Sequence, residues 1–443
     1  MHPAELFQIN YKRRIKAGTM NVYEASQNRL KILFEEFDNI YVSFSGGKDS
    51  GVLLNLCIDY IRRHNINRKI GVMHLDYEAQ YQMTTDYVNE TLSKNADIIE
   101  VFRCCVPFKV TTCTSMYESY WRPWDASKKE IWVSDLPEKC YTENDFGFFK
   151  SNMWDYEFQE KFSEWYHKRN NAKRTACLVG IRTQESLDRW RAIHSKRNYR
   201  NYNGLNWTKE ICKDVFNAYP IYDYLTTDIW IANARFKWSY NKLYDLFYQA
   251  GIGIEKMRVA SPFLSSAQDS LKLYRTIEPN TWAKLVSRVN GVNFTGIYGG
   301  TTAMGWNTIT KPEGHSWESY MYFLLGTLPE ETRENYLHKL ATSIKFWREK
   351  GGVLSDDVIE KLKHNGVKIE VLEETNYKTS KHPVRMEYLD EIDISEAKEI
   401  PTYKRMCICI MKNDHLCKYM GFTLTKNEMA KRKNIMEKYK SLL

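Results

Sequence analysis

The sequence lacks the long apolar runs that membrane-spanning helices require. No stretch approaches about 18 consecutive apolar residues, and the N-terminal segment MHPAELFQINYKRR contains nothing that resembles a secretory signal. These absences predict a cytoplasmic protein without a membrane contact. Internal repeats and low-complexity tracts are also missing. The 443 residues, 43% hydrophobic and 27% charged, are typical of a globular protein of two or three domains.

The ten cysteines include no C-x-x-C pair and form no even framework in a short chain. In a reducing compartment most of them are therefore expected to be free thiols. The charge balance is mild, because 64 Lys and Arg face 55 Asp and Glu, and the formal net charge is +9. This balance is compatible with an anionic substrate or partner, and by itself it does not indicate nucleic-acid binding.

Short hydrophobic segments alternate with helical patterns in the first half of the chain. Helices are predicted in NVYEASQNRLKILFEEFDN, GVLLNLCIDYIRRH and QYQMTTDYVNETLSKN, and strands in IYVSF, KIGVMHLD, ADIIEVF and ACLVGI. Strands that alternate with helices, rather than with each other, indicate a parallel sheet covered on both faces. The sequence thus predicts an α/β fold with a doubly wound parallel sheet.

Two domains are predicted along the chain. Residues 1–254 are expected to form the α/β domain, with an insertion at about 103–173 that is rich in aromatic, charged and turn residues. Residues 255–443 are dominated by helical patterns such as SWESYMYFLLGTLPEETRENYLHKL. They are expected to form a mainly α-helical C-terminal domain.

The stretch YVSFSGGKDSGVLLNL places a glycine-rich turn between a predicted strand and a predicted helix. Such a turn is a phosphate cradle, because it exposes backbone N–H groups at the positive end of the helix dipole. Two known phosphate loops do not fit. A Walker A loop would need Gly at Val42 and Ser or Thr at Asp49, and the dinucleotide fingerprint fails because Gly46 and Gly47 are adjacent. A switch-type nucleoside triphosphatase and a hydride-transfer enzyme are therefore not favoured.

The turn resembles the pyrophosphate loop, S-G-G-x-D-S, of the ATP pyrophosphatases in the adenine nucleotide α-hydrolase superfamily. The resemblance is carried by the contiguous residues Ser45, Gly46, Gly47, Lys48, Asp49 and Ser50. It implies that the loop holds the β and γ phosphates of ATP while the α-phosphorus is attacked. The backbone amides with Lys48, Ser45 and Ser50 would neutralise charge on the departing pyrophosphate. Asp49 would orient the loop or help to hold Mg²⁺.

A second motif, CLVGIRTQESLDRWRAI, begins within the last predicted strand. Gly180 and Arg182 lie at the end of that strand, and Ser186 and Arg189 follow at a spacing that places them on a shared face. From Arg182 to Arg200, six Lys or Arg occur against two acidic residues. This excess favours a bound anion near the carboxyl ends of parallel strands.

This motif, read as G-I-R-x-x-E-S-x-x-R, resembles one found in phosphoadenosine phosphosulfate reductases and in the small subunit of ATP sulfurylase. The segment YPIYDYLTTDIW resembles another of their motifs through Pro220, Tyr224, Asp228 and Trp230. The long form of the chain most resembles the phosphoadenosine phosphosulfate reductase-like proteins typified by the immunoglobulin-binding regulator A group. That resemblance implies a ParB-like protein partner, and it leaves nucleic acid open as a partner.

Asp76, at the end of the second predicted strand, lies where related proteins place an acidic residue close to the nucleotide. A helix cap explains this carboxylate equally well. The predicted catalytic residues are Lys48, Asp49, Arg182 and Arg189. The residues predicted to bind the nucleotide are Ser43, Phe44, Ser45, Gly46, Gly47, Lys48, Asp49, Ser50, Asp76, Gly180, Arg182 and Ser186.

The sequence departs from sulfonucleotide reductases at its C-terminal end. It lacks the E-C-G-x-H segment whose cysteine attacks sulfur in those enzymes. Cys407, Cys409 and Cys417 are the nearest alternative, as a nucleophile set or as iron-sulfur ligands with Cys104 and Cys105, although buried thiols are the expected state. An intact pyrophosphate loop also differs from these reductases, because their nucleotide has no β,γ-pyrophosphate at its 5′ end.

Three functions stay open at this point. The first is an enzyme that binds ATP and Mg²⁺ and cleaves ATP between the α and β phosphates to adenylylate an acceptor, in sulfur metabolism or sulfur transfer. Arg182 and Arg189 would then hold the acceptor anion or the α-phosphate. The second is an adenine-nucleotide-binding regulatory module that acts with a ParB-like protein or DNA. The third is a sulfonucleotide reductase that uses a C-terminal cysteine. The sequence names neither the acceptor nor the oligomeric state.

Overall fold

The computed structural model describes residues 20–115, 117–186, 189–190, 193, 201–259, 261–264, 267–298, 309, 311–372 and 381–422. Contacts divide the chain into two compact units. Unit 1 comprises Met1–Thr111 and Tyr120–Asn290, and unit 2 comprises Thr112–Ser119 and Gly291–Leu443. The domain boundary expected between residues 254 and 255 stays a prediction.

Unit 1 contains the alternating elements that the sequence predicts. Its strands are β1 (Asn39–Ser43), β2 (Ile70–Leu75), β3 (Ile99–Cys104), β4 (Val110–Thr111), β5 (Tyr120–Trp121), β6 (Thr175–Val179), β7 (Thr208–Cys212) and β8 (Val215–Ala218). Its α-helices are α1 (Val22–Glu36), α2 (Lys48–Arg63), α3 (Gln82–Lys94), α4 (Asp155–Arg169), α5 (Thr226–Phe236), α6 (Leu243–Gln249), α7 (Gln268–Leu271), α8 (Tyr274–Ile277) and α9 (Pro279–Arg288). Short 3-10 helices occur at Ala126–Ile131, Glu143–Asp145, Thr183–Glu185 and Tyr202–Gly204.

Six of these strands form one sheet in the order β3-β2-β1-β6-β8-β7. Neighbouring strands run parallel from β3 to β8, and only the edge strand β7 is antiparallel to its neighbour. The predicted α/β fold is confirmed. The sequence does not predict β7 and β8, because the segments TKEIC and VFNA are short and carry polar residues within them.

Helices cover both faces of the sheet, and β1 shows how alternation along a strand achieves this. Ile40 and Val42 lie in one hydrophobic cluster with residues of α1 and α2. Tyr41, between them, faces the other way and contacts α4. Its hydroxyl is 2.7 Å from Oγ of Ser163, and its ring packs edge-on against Phe162.

Helix α1 illustrates a terminus that the sequence specifies locally. Asn21 accepts a hydrogen bond from the backbone N–H of Glu24 at 2.9 Å, and the Glu24 carboxylate accepts one from the N–H of Asn21 at 3.2 Å. This reciprocal capping satisfies two N–H groups that would otherwise lack partners. Leu30 and Leu33 follow on the buried face of the helix, as the apolar spacing predicts.

Unit 2 is mainly α-helical, which confirms that part of the predicted fold. Its α-helices are α10 (Val292–Tyr298), α11 (Trp317–Gly326), α12 (Glu330–Lys345), α13 (Asp356–His364) and α14 (Tyr403–Met411). A π-helical turn covers Phe346–Lys350, and 3-10 helices cover Ala397–Glu399 and Lys418–Met420. The strands β9 (Gly352–Leu354), β10 (Ile369–Val371) and β11 (His382–Met386) form a small antiparallel sheet that the sequence does not predict. None of the described helices of either unit combines the length and the apolar composition needed to cross a membrane.

Candidate functional site

The strand order of the large sheet reverses between β1 and β6. From β1 the chain moves outwards through β2 to β3, and from β6 it moves outwards in the opposite direction to β8. Ser43, the last residue of β1, pairs with Val179, the last residue of β6. In doubly wound sheets, ligands bind outside the carboxyl ends of the strands at such a reversal. The loops that follow Ser43 and Val179 are therefore the candidate site.

The loop after β1 requires glycine at its centre. Gly46 has a φ of +73°, and a Cβ atom at this position would lie 2.7 Å from Cγ2 of Val88 on α3. Gly47 is the N-cap of α2, which starts at Lys48. Because glycine has no side chain, no side-chain cap hydrogen bond covers this end of the helix. The loop thus presents the positive end of the α2 dipole at the carboxyl edge of the sheet.

Two serines stabilise the loop from within. The hydroxyl groups of Ser45 and Ser50 are 3.0 Å apart. Ser50 also donates to the carbonyl of Gly47 at 3.2 Å, and its oxygen accepts a hydrogen bond from the N–H of Ser45 at 3.2 Å. These bonds hold the loop in one conformation before any ligand arrives. A direct contact of either serine with a phosphate stays a prediction.

Strand pairing fixes the start of the loop. The N–H of Phe44 donates to the carbonyl of Met73 at 2.8 Å, and Nδ1 of His74 lies 2.8 Å from the carbonyl of Phe44. The Phe44 side chain is buried. Ser43 and Phe44 therefore extend the pairing of β1 with β2, and their contact with a nucleotide stays a prediction.

Asn241, just before α6, and Tyr244, in the first turn of α6, hold the loop from outside. The buried Asn241 amide donates to the carbonyl of Gly46 at 3.3 Å and to the hydroxyl of Thr84 at 2.9 Å. The hydroxyl of Tyr244 accepts a hydrogen bond from the backbone N–H of Lys48 at 3.0 Å. Sequence reasoning missed both residues, because the segment SYNKLYDLF contains no recognisable spacing and lies far from the loop along the chain.

Lys48, Asp49 and Arg182 form a buried chain of charges. The Lys48 ammonium is 3.1 Å from one oxygen of the Asp49 carboxylate, and the guanidinium of Arg182 donates to the other oxygen. Burial lowers the pKa of Lys48, and Asp49 opposes that shift. Burial alone would raise the pKa of Asp49, but Lys48 and Arg182 outweigh it, so the pKa of this carboxyl is lowered. Three of the four predicted catalytic residues are thus in contact.

Arg182 is held by the segment after β6 and by the first residue of α5. Its side chain is 2% exposed and donates to Oε1 of Gln184 at 3.3 Å and to the hydroxyl of Thr226 at 3.2 Å. Gly180 explains how β6 approaches the phosphate loop so closely, because a Cβ there would lie 3.0 Å from the backbone nitrogen of Ser50. Gly180 therefore allows the close approach of β6 to the loop, whereas Arg182 supplies the hydrogen bonds that join β6 to Asp49 and α5.

The second half of this motif gathers positive charge. Glu185, whose side chain is 4% exposed, pairs with Arg182 at 3.8 Å, with Arg258 at 2.5 Å, and with Arg189. The hydroxyl of Ser186 accepts a hydrogen bond from the N–H of Arg189 at 3.2 Å, so Ser186 positions the turn. The structure brings Arg189 to the same cluster as Arg182. Sequence reasoning gave no role to Glu185 and did not single out Arg258.

The motif YPIYDYLTTDIW supports this arrangement structurally. Tyr224 is buried and its hydroxyl lies 3.0 Å from Oγ of Ser26, Asp228 accepts the N–H of Leu225 at the start of α5 at 2.8 Å, and Trp230 is buried. These contacts fix the start of α5. Because Thr226 lies in its first turn, the motif determines where the hydroxyl that binds Arg182 is placed.

Asp76 lies just beyond β2 and is buried. One carboxylate oxygen accepts two hydrogen bonds from Arg103, at 2.9 and 2.7 Å, and the other accepts the N–H of Glu78 at 2.9 Å. These bonds satisfy the carboxylate within the protein. Its predicted proximity to a nucleotide stays a prediction.

The three C-terminal cysteines lie inside unit 2. Cys407, Cys409 and Cys417 are buried; the thiol of Cys407 is 3.5 Å from a backbone carbonyl of α11, and that of Cys409 is 3.8 Å from a carboxylate oxygen of Asp414. Burial raises the pKa of Cys407 to about 12 and that of Cys409 well above its usual range. Among the residues that the structure describes, no group of three or more His, Cys, Asp or Glu side chains could hold a metal ion. The iron-sulfur hypothesis for these thiols therefore receives no support.

The chain matches two family models in succession. Residues 39–256 match the phosphoadenosine phosphosulfate reductase domain, and residues 251–431 match a domain of unknown function, DUF3440. The uncharacterized protein YbdN of Escherichia coli strain K12 is 32% identical over 420 residues, which cover 94% of this chain and 94% of that protein.

Solved structures show distant similarity. Phosphoadenylyl-sulfate reductase from Candida auris is 13% identical, with a TM-score of 0.28, over 50% of this chain and 84% of that one. The FMN adenylyltransferase of Candida glabrata, in complex with FAD and inorganic pyrophosphate, is 17% identical, with a TM-score of 0.30, over 54% of this chain and 67% of that one. The U34-tRNA thiolase NcsA of Methanococcus maripaludis is 10% identical, with a TM-score of 0.29, over 66% and 80%.

The sequence matches, unlike the structural ones, extend over nearly the whole protein. The specific resemblance to the immunoglobulin-binding regulator A group stays a prediction. The two successive family models and the full-length similarity to YbdN are consistent with the motifs at Ser45 to Ser50 and at Gly180 to Arg189. The chain belongs to the phosphoadenosine phosphosulfate reductase-like family, together with YbdN of Escherichia coli.

Proposed function

We propose that this protein is an ATP pyrophosphatase-type enzyme, which cleaves ATP between the α and β phosphates and transfers the adenylyl group to an acceptor. The main support is the loop from Ser45 to Ser50, which lies at the reversal of strand order. Within this loop, Lys48 is buried and is linked through Asp49 to Arg182. This arrangement joins the end of β1 to the end of β6 in one charged site. Its family membership is consistent with use of an adenine nucleotide.

The proposed reaction assigns different tasks to the two halves of the site. The Lys48 ammonium would bind the β and γ phosphates, together with the N–H groups at the start of α2 other than that of Lys48, which donates to Tyr244. A nucleophilic atom of the acceptor forms a bond to the α-phosphorus, the bond from that phosphorus to the oxygen bridging to the β-phosphate breaks, and pyrophosphate leaves with that oxygen. Arg182 and Arg189 would hold the α-phosphate or the acceptor, where negative charge develops.

Asp49 is the carboxylate that the motif offers for Mg²⁺, and its geometry does not fit a metal ligand. Both of its oxygens are taken, one by Lys48 and the other by Arg182. Magnesium in nucleotide sites is bound by one or two carboxylates together with substrate phosphates. Asp49 is thus not available as a ligand for Mg²⁺, and the proposal assigns the ion no step; it would arrive as the counter-ion of ATP.

The sulfonucleotide reductase alternative is less well supported by the thiols. A nucleophilic cysteine needs exposure and a low pKa, whereas Cys407 and Cys409 are buried and have raised pKa values. A role in sulfur metabolism or sulfur transfer through the acceptor remains part of the proposal. A ParB-like partner, a nucleic-acid partner and a cytoplasmic location stay predictions.

Doubly labelled ATP tests the proposed bond cleavage. The purified protein is incubated with ATP that carries labels at the α and γ phosphorus, with and without candidate acceptors such as inorganic sulfate. We expect the γ label to appear in pyrophosphate and the α label in AMP or in an adenylylated acceptor. Release of orthophosphate with ADP would overturn the proposal. Tight binding of ATP without turnover under all conditions would favour the regulatory module instead.

A further inference from the structure

One buried carboxylate in the site faces three guanidinium groups. Glu185 belongs to the 3-10 helix after β6, and its side chain is 4% exposed. One of its oxygens pairs with Arg182 and Arg258, and the other pairs with Arg189. Arg182 and Arg189 flank Glu185 along the chain, three residues before it and four residues after it, whereas Arg258 lies in the segment that follows α6. The carboxylate therefore connects the segment after β6 to the segment after α6.

The charges of this cluster do not cancel. Among the described side chains with ion pairs in it, Lys48, Arg182, Arg189 and Arg258 are basic, and only Asp49 and Glu185 are acidic. Two positive charges are left in excess. Cations close together and partly withdrawn from water repel each other, because the local dielectric constant is lower than that of water. An anion that binds there would relieve this repulsion.

Arg258 is placed beside the phosphate loop by an observation that is independent of its ion pair. A Cβ atom on Gly47 would lie 3.6 Å from Cγ2 of Val259, the neighbour of Arg258. The segment that carries Arg258 therefore passes directly over the start of α2. The positive charge of Arg258 also helps to lower the pKa of Lys48. Its side chain is 26% exposed, so that a ligand from solvent can reach it.

We propose that Arg258 is an additional anion-binding residue of this site, and that Glu185 is a positioning residue that holds Arg182, Arg189 and Arg258 around one oxyanion. The inference rests on the proposed function. The ligand is a tetrahedral oxyanion of phosphate or sulfate type, from either of two sources. One source is the α-phosphate of the nucleotide, and the other is a free oxyanion acceptor.

A purely structural role for this cluster would require fewer cations for each carboxylate. A tether between two segments needs one cation for one carboxylate, as in the exposed pair of Arg348 and Glu387. Glu185 has three cations, and guanidinium groups offer several N–H donors each. The donors that exceed the two oxygens of Glu185 are the ones that an oxyanion would use.

Separate measurements with AMP, inorganic pyrophosphate and inorganic sulfate test the proposal on the full chain. Pyrophosphate reports on the loop alone, AMP reports on an α-phosphate site, and sulfate titrated onto AMP-saturated protein reports on a free oxyanion site. For Arg258→Ala we expect at least about tenfold weaker binding of AMP or of sulfate, as for loss of a charge-assisted hydrogen bond. Pyrophosphate affinity is expected to change less than about twofold, because R258A leaves Lys48 and the loop in place. Arg258→Lys should recover part of the loss, and Arg348→Ala is the matched control, expected to bind all three probes like the wild type.

Glu185→Gln separates positioning from simple electrostatics, because it keeps the shape of the side chain and removes its charge. If Glu185 contributed only negative charge, E185Q would strengthen anion binding. As a positioning residue it is expected to weaken AMP or sulfate binding by about tenfold while pyrophosphate still binds. If Arg258→Ala does not fold, E185Q and Arg258→Lys test the proposal instead, through the affinity for AMP or sulfate relative to the affinity for pyrophosphate.

The outcomes separate this inference from the proposed function. A weaker affinity for AMP identifies the α-phosphate as the ligand, and a weaker affinity for sulfate alone identifies a free oxyanion. Wild-type affinities for AMP and sulfate in R258A, or tighter binding in E185Q, would overturn the inference while the proposed reaction stands. A wild-type protein that binds neither ATP nor pyrophosphate would overturn the proposed function itself.

Discussion

Two buried glutamates of unit 1 show what a balanced and an unbalanced charge imply. The Glu78 side chain is fully buried, and Arg288 donates to both of its oxygens, at 2.7 and 2.9 Å. The backbone N–H groups of Trp124 and Val133 complete its hydrogen bonds, at 2.7 and 3.0 Å. One cation therefore matches one anion. Glu185, in contrast, is shared among several cations.

The difference separates structural stabilisation from ligand binding. Glu78 connects segments that are up to 210 residues apart, and all its bonding capacity is used within the fold. Around Glu185, the cations exceed the carboxylates of the described residues, and this excess is what the proposed oxyanion would balance. A partly exposed version of the second case exists on α4, where Glu164 pairs with Lys161 at 2.9 Å and Lys168 at 2.7 Å. There, water rather than a ligand compensates the charge.

The largest effect is expected when the balanced pair is broken. Arg288→Ala leaves the Glu78 carboxylate buried without its cation, and should lower the free energy of unfolding by about 3–5 kcal/mol. Urea unfolding followed by circular dichroism measures the change. The double variant Glu78→Gln with Arg288→Met should recover much of it, because both charges are then gone. A loss below about 1 kcal/mol in the single variant would contradict the interpretation of this pair as a structural element.

A smaller effect, on binding rather than on stability, is expected from Lys48. Lys48→Met keeps most of the side-chain volume and removes a buried cation from a cluster with excess positive charge. The binding free energy of ATP and of pyrophosphate should become less favourable by about 1.5–3 kcal/mol, since a charge-assisted phosphate contact is lost. Isothermal titration calorimetry measures this, with Lys31→Met on the exposed face of α1 as the control. Unchanged pyrophosphate affinity would remove Lys48 from the site.

Arg182 tests how the two halves of the site divide their tasks. Arg182→Ala should spoil acceptor binding or turnover more than ATP affinity, because the Lys48 ammonium and the glycine-rich loop, which are proposed to hold the β and γ phosphates, stay in place when Arg182 loses its bonds to Asp49 and Thr226. Steady-state kinetics compared with equilibrium ATP binding measure the two effects. Equal and negligible effects in K48M and in the Arg182 variant would refute the model of the site.

The smallest effect is expected for Glu164, the partly exposed carboxylate on α4. Hydrogen bonds from Lys161 and Lys168 lower the pKa of Glu164 to about 2. Because the folded pKa lies below the ordinary value, this pairing stabilises the protein above about pH 4.5 and is lost as the pH falls towards 2. Glu164→Gln should cost less than about 1 kcal/mol at pH 7, since solvent screens the pair. Unfolding free energies of both proteins should converge as the pH falls from about 4.5 towards 2, and a difference that grows on acidification would contradict the sign.

Local sequence predicts the part of the fold that depends on short-range pattern. Strand β1 and helix α2 are predicted from an apolar run, two adjacent glycines and a second apolar run, which all lie in the stretch YVSFSGGKDSGVLLNL. The hairpin of β7 and β8 was missed because its segments carry no clear alternation, and it exists through pairing with β6. The assignment of Thr112–Ser119 to unit 2 has no local signal either, since it depends on contacts with residues about 180 to 300 positions later.

The candidate site divides in the same way. The motifs identify Lys48, Asp49 and Arg182, and the structure brings them into contact. The motif implies that Asp49 orients the loop or holds Mg²⁺, and only the folded structure shows that both carboxylate oxygens are taken by cations. Tyr244 and Arg258 lie about 200 residues after the loop along the chain. No local spacing in the sequence could therefore identify them.

The composition of unit 2 from two separate stretches limits how the protein can be divided in the laboratory. Gly291 packs so closely on the carbonyl of Thr114 that a Cβ would lie 1.9 Å from its oxygen, and Nε2 of His415 donates to the carbonyl of Ser115 at 3.0 Å. A chain that stops at residue 290 keeps Thr112–Ser119 but loses the residues that cover it. A fragment that starts at Gly291 lacks the same eight-residue stretch. The roles of the two units are therefore better separated by point substitutions than by truncation.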